Sequence, residues 1–149
     1  MPLGSLRAAL WYPNLPDHKE DASLLLNLSE VGLQQLSEQL DEERDWTQTL
    51  SVGELQRCAF VRALMTRPAV LFMDESSSAL DAANEMRCYH LIKQSLPATI
   101  LISIGHRDSL KGFHRQLLDL NNETWRDGQK GNNHGASGRS PEGCSAIKD

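Results

Sequence analysis

The sequence predicts an α/β fold, on the strength of two strand-sized apolar runs, the helix-spaced segment between them, and a capped helix ahead of the first run. The runs are Ala69-Val70-Leu71-Phe72-Met73 and residues 99–104, with Ile100-Leu101-Ile102 at the centre of the second. Between them, residues 81–96 carry Ala82, Met86, Tyr89, Ile92 and Leu96 at helical spacing. Strand, helix, strand in this length is a βαβ crossover, right-handed by default. Because the first run is unbroken rather than alternating, it predicts a parallel sheet covered on both faces.

Each further element has its own signal. Residues 5–12 mix apolar and polar side chains and end at Pro13, and Asn14-Leu15-Pro16-Asp17 is turn chemistry. A helix is predicted from Asp21, with Leu24, Leu25 and Leu28 on one side and Gly32 ending it. A second short helix covers 33–40, and the acidic stretch 41–45 reads as a solvated loop anchored by Trp46. Ser51 opens a helix to about Thr66, because Ser51 and Glu54 have the spacing of a capping box, in which each side chain satisfies the other's backbone N–H. Cys58, Ala59, Phe60, Val61, Ala63, Leu64 and Met65 make this helix apolar nearly all round, hence buried, and Pro68 stops it. Residues 116–120 and 123–126, separated by Asn121-Asn122, predict a closing hairpin.

Composition excludes several classes. A net charge of −5 with arginines spread singly does not suit a nucleic-acid binder, which shows a basic stripe. No apolar run approaches the roughly 18 residues needed to span a bilayer, and Met1-Pro2-Leu3-Gly4-Ser5 lacks the regions of a signal peptide. Cys58, Cys88 and Cys144 are odd in number and far apart, so they are expected as reduced thiols in a cytosolic protein, two of them in the core.

Three local features carry chemistry. Asp74-Glu75 follows the first apolar strand, at the carboxyl end where parallel sheets bind ligands. The first carboxylate suits Mg²⁺ held through its water shell and the second suits orienting a nucleophilic water; alone, the pair equally suits an acidic loop. His106 lies just past the second strand, where a neutral imidazole donates toward a phosphate or a water. A lone histidine at a strand end is more often structural. Leu50-Ser51-Val52-Gly53-Glu54 at a helix start offers backbone N–H groups to an anion, or is simply a capped start.

The order of these features is more specific than any of them. Leu50-Ser51-Val52-Gly53-Glu54, Gln56-Arg57, Arg67-Pro68, an apolar strand, Asp74-Glu75, Ser78-Ala79-Leu80-Asp81 and Gly105-His106-Arg107 together resemble the ATP-binding-cassette (ABC) ATPase family, from about Leu3 to Asp119. The resemblance implies a partial P-loop NTPase fold and ATP with Mg²⁺ as ligands. It implies that Glu75 is the catalytic carboxylate and His106 the switch histidine. Asp74 would be the Walker B aspartate serving the metal. Ser51, Gly53 and Glu54 form the signature facing ATP on the opposite subunit of a head-to-tail dimer, and Asp81 is the D-loop aspartate crossing that interface. The implied partners are a second ABC ATPase domain and a transmembrane permease domain, at the cytoplasmic face of a membrane, with no nucleic acid. Trp46, Glu54 and the opening Met1-Pro2-Leu3-Gly4-Ser5-Leu6-Arg7 are similar to fused half-transporters of the peroxisomal fatty-acyl type and bacterial relatives for vitamin B12 or peptide uptake.

The sequence departs from that family in two places. No Gly-x-x-x-x-Gly-Lys-Ser/Thr phosphate-binding loop occurs, which suggests a truncated frame or gene fragment that is inactive alone. Val52 replaces a usual glycine, where a β-branched residue at positive φ is strained. The expected organisation is a partial ATPase domain over 1–126, with a helical subdomain at 21–66, a Walker B and switch-histidine half at 67–126, and a disordered tail at 127–149. The alternatives are a non-catalytic remnant or dimerisation module, and a soluble ABC ATPase of repair or translation.

Overall fold

A computed structural model describes residues 4–105, 107–119 and 124–127. Its centre is α4 (Val52–Thr66), against which α1 (Leu6–Trp11), α2 (Asp21–Glu30) and α5 (Ala82–Ser95) all pack. The capping box forms as its spacing predicts: Glu54 N donates to Ser51 Oγ at 3.3 Å and Ser51 N donates to Glu54 Oε2 at 2.9 Å. Cys58, Phe60, Val61, Ala63, Leu64 and Met65 are buried, which is why three helices can share this one as a wall. The helix ends at Arg67, in the left-handed region, with Pro68 next.

The first helix has only a weak local signal. Ser5 Oγ caps it by accepting from Ala8 N at 3.2 Å, and Leu6 and Leu10 are fully buried. What secures it is Arg7, whose guanidinium pairs with Asp21 at the start of α2 and donates to Asp41 at 2.7 and 3.1 Å. That pairing holds the Asp41 carboxyl below its ordinary range. Residues 34–39 form a 3-10 turn rather than an α-helix. The acidic stretch is less of a loop than expected: β2 (Glu43–Arg44) pairs antiparallel with β1 (Gly4–Ser5). Trp46 opens the short α3 (Trp46–Thr49) and is buried, with the Arg44 guanidinium 5.0 Å over its ring.

The two expected core strands are β3 (Val70–Asp74) and β4 (Ile100–Ile104), parallel and in register from Val70–Ile100 to Asp74–Ile104. The sheet is not covered on both faces. Leu71 and Leu101 lean on the helical core and Met73 is buried in it, whereas Val70, Phe72, Ile100, Ile102 and Ile104 are exposed, Phe72 by 72%. The helices α4 and α5 lie on one side only, so an apolar run that reads as doubly covered keeps a bare face. A cleft of about 530 Å³ lies between β3 and α4, lined by Tyr12, Ala59, Ala63, Val70 and Phe72 among others.

Helix α5 is rotated relative to its expected stripe. Tyr89, Ile92 and Leu96 are buried, but Ala82 is exposed and Met86 is 37% exposed, while Glu85 and Cys88 point inward. Glu85 can be buried because serine hydroxyls and a guanidinium satisfy it. The hairpin is β5 (Gln116–Asp119) with β6 (Thr124–Asp127), so Asp127 closes a strand and does not begin the tail. The tail at 128–149 and Cys144 lie outside the described residues.

Cys58 and Cys88 are buried and free. Burial pushes the Cys58 thiol up to about 12 and the Cys88 thiol up to about 11, from an ordinary 9.0. The unfolded thiols ionise first, so this contribution to stability is complete below pH 9.0 and is lost as pH rises through the folded values. Denaturant titrations across that range should show stability falling, and alkylation of both thiols near neutral pH should require unfolding. A second expectation concerns the bare face. Phe60→Ala should cost about 3–5 kcal/mol in denaturant unfolding. Phe72→Ser with Ile102→Ser should leave the fold near its original stability and reduce self-association in sedimentation velocity.

Candidate functional site

The carboxyl ends of β3 and β4 lead into the loop 75–80, and the candidate residues gather around it. Asp74 is the last residue of β3 and is exposed. Glu75 follows at φ 46, a conformation that disfavours a side chain, and its N–H donates to Ile104 O at 3.1 Å. The loop is closed by Ser78 N to Glu75 O and Leu80 N to Ser77 O, each at 3.0 Å. Asp81 then caps α5, accepting from Asn84 N at 2.8 Å, and this backbone hydrogen bond lowers its carboxyl from the ordinary value.

Two side chains that sequence reasoning left without a role hold this loop. Gln56, in the second turn of α4, accepts from Ala79 N at 3.0 Å and donates to Ser78 Oγ at 3.0 Å and Glu75 O at 3.4 Å. From the other side, Arg107 donates to Leu80 O at 2.9 Å and Ser78 O at 2.8 Å. The only advance signal was their position, Gln56 after Leu50-Ser51-Val52-Gly53-Glu54 and Arg107 beside His106. Gly53 belongs to the same contact: a Cβ there would lie 3.4 Å from Ala79 O.

The structure therefore brings Gly53, Asp74, Glu75 and Asp81 to one loop. Ser51 and Glu54 stand at the start of α4 in a tight pair: the Ser51 hydroxyl donates to Glu54 Oε2 at 2.7 Å. The Ser51 N–H and hydroxyl together hold the Glu54 carboxyl below its usual range. An anion approaching Ser51 has to displace that hydroxyl bond. Val52 is the first residue of the helix, is 64% exposed, and is not among the positive-φ residues, so its β-branch carries no backbone strain. His106 lies outside the described residues; its neighbours Gly105 and Arg107 are described.

Among the described residues no cluster of three or more His, Cys, Asp or Glu can hold a metal by itself. No helix of the described residues is long and apolar enough to cross a membrane.

Comparison with known proteins places the chain in one family. The ABC transporter family model matches residues 7–78, a stretch that includes Ser51, Gly53, Asp74 and Glu75. An uncharacterized ABC transporter ATP-binding protein of Haemophilus influenzae is 45% identical over 120 residues, covering 80% of this chain and 20% of that protein. The human lysosomal cobalamin transporter ABCD4 is 39% identical over 127 residues, covering 78% of this chain and 21% of its own length. A bacterial Atm1-family ABC exporter with ATP bound superposes with a TM-score of 0.63 at 25% identity, over 77% of this chain and 21% of that one. The chain thus spans about a fifth of the relatives it matches. Fold, motif order and these similarities converge: the chain belongs to the ABC transporter family and forms part of its ATP-binding domain.

Proposed function

We propose that this chain supplies the signature, water-activating and interface elements of an ABC ATPase whose hydrolysis of ATP drives transport across a membrane. The observation that carries this is the convergence of Gly53, Asp74, Glu75 and Asp81 on the loop 75–80 at the carboxyl end of a parallel strand pair. In this reading residues 21–66 are the helical subdomain and 67–126 the catalytic half. The bare face of β3 and β4 receives the phosphate-binding part of the cassette. A second such domain faces Ser51 and Asp81, and a permease domain sets the whole at the cytoplasmic face of a membrane.

Each residue has a chemical task. Asp74, exposed at the strand end, would hold Mg²⁺ through water, and the ion would supply charge neutralisation at the phosphates. Glu75 accepts a hydrogen bond from the attacking water and polarises it. The N–H groups at the start of α4 and the Ser51 hydroxyl, once released from Glu54, donate to the γ-phosphate of ATP on the facing subunit. Asp81 reaches across that interface from the start of α5. His106 donates to the γ-phosphate and reports its presence.

In a protein joining this chain to a phosphate-binding part, Glu75→Gln should retain ATP binding and lower turnover by about 10²–10⁴-fold, because an amide cannot accept the proton. His106→Ala should slow it too; normal steady-state turnover in Glu75→Gln removes Glu75 from this role. The chain alone should not bind Mg-ATP tightly. A helix start contributes about 0.3–1 kcal/mol per interaction when exposed, far below the roughly 5 kcal/mol of a sub-millimolar complex. Calorimetric titration giving a micromolar dissociation constant contradicts this assignment.

A further inference from the structure

Glu85 lies in the first turn of α5 with its side chain 1% exposed, where an uncompensated carboxylate is costly. Its partners come from two separate segments. Ser77 Oγ–H donates to Oε1 at 2.6 Å, from the loop that follows Glu75. Ser109 Oγ–H donates to Oε2 at 2.6 Å and Arg107 Nη1–H to Oε1 at 3.3 Å, both from the segment that follows His106. The same Arg107 extends its guanidinium to Ser78 O and Leu80 O, the carbonyls on the approach to Asp81. One buried anion and one fork of donors therefore fasten the segment after His106 to the loop after Glu75.

Among the described residues, the side-chain partners of Glu85 all come from these two segments, which a pair serving stability alone has no reason to favour. We propose that Glu85 and Arg107 are positioning residues: they lock the loop 75–80 to the segment beginning at residue 107, so that the Glu75 turn and that segment move as one unit. The proposal rests on reading the site as an ATPase. Arg107 suits the task through geometry as well as charge, because a planar fork addresses two carbonyls and a carboxylate at once and a lysine ammonium does not. Glu85 fixes that fork from beneath and binds both serines.

Two variants separate positioning from bulk stability. Glu85→Gln keeps one acceptor oxygen, presents an NH₂ donor to the other serine and loses the charge; Arg107→Lys keeps the charge and loses the fork. In the chain itself, amide hydrogen exchange should quicken at residues 76–80 and 107–110 together in both variants, with the second half of α5 still protected. In the ATPase joined to a phosphate-binding part, each should lower kcat by about tenfold or more while KM for Mg-ATP stays within about twofold. Normal kcat in Arg107→Lys overturns the proposal. So does exchange that rises in only one segment, or equally throughout α5. If Glu85→Gln does not fold, Arg107→Lys decides, since that side chain is 33% exposed and its loss leaves no cavity in the core. Absent hydrolysis in the unsubstituted protein counts against the ATPase reading instead, and the exchange measurement still judges the coupling.

Discussion

The contact on which the candidate site depends is the one Gln56 makes from α4 to the loop 75–80. A single amide accepts from one backbone N–H and donates to a hydroxyl and a carbonyl, so it reads the loop's conformation rather than merely touching it. Each bond is exposed and contributes only about 0.5–1.5 kcal/mol net. Its consequence is geometric: it fixes the distance between the helix start bearing Ser51 and Gly53 and the turn bearing Glu75. Gly53, within 3.4 Å of Ala79 O at the position of an added Cβ, permits that approach. Helix α4 can serve as the reference because its buried flank is gripped by α1, α2 and α5.

Glue of this kind is needed because Glu75 sits in a left-handed conformation that a side chain does not adopt by preference. The N–H of Glu75 is held by Ile104 O and its carbonyl by Ser78 N, with Gln56 adding a longer third bond. The turn thereby ends β3 at Asp74 and takes the chain out of the ladder at Glu75.

Much of this was legible in the sequence, and what was not has definite causes. The capping box, the Pro68 stop, the paired core strands and the hairpin all rest on local chemistry, and local chemistry is what a sequence displays. Helix α1 was missed because its main support is Arg7 reaching Asp21 and Asp41, a tertiary contact with no local spacing. The stripe on α5 was misjudged because an apolar count rejects Glu85 from the core, whereas its partners sit on two other segments and make it welcome there. Gln56 and Arg107 escaped notice as loop holders for the same reason: their bonds span 19 to 29 residues.

The bare face of the sheet is the reverse case, in which the sequence was more apolar than the fold it forms. Parallel strands with apolar residues on both sides are ordinarily buried on both sides. Here Phe72 and Ile102, opposite each other in the register, remain in solvent while Met73 faces the helices. An exposed apolar surface of this extent marks an interaction site or an association liability. The loops at the sheet's carboxyl end make the first meaning specific. Asp74 leaves the strand at the edge of the same bare face, opposite Ile104 in the ladder. A segment covering Val70, Phe72, Ile100 and Ile102 therefore also passes close to the Asp74-Glu75 turn. If the covering segment carries the phosphate cradle of the proposed function, Asp74 and Glu75 meet it directly, and burial of the sheet and assembly of the nucleotide site are one event.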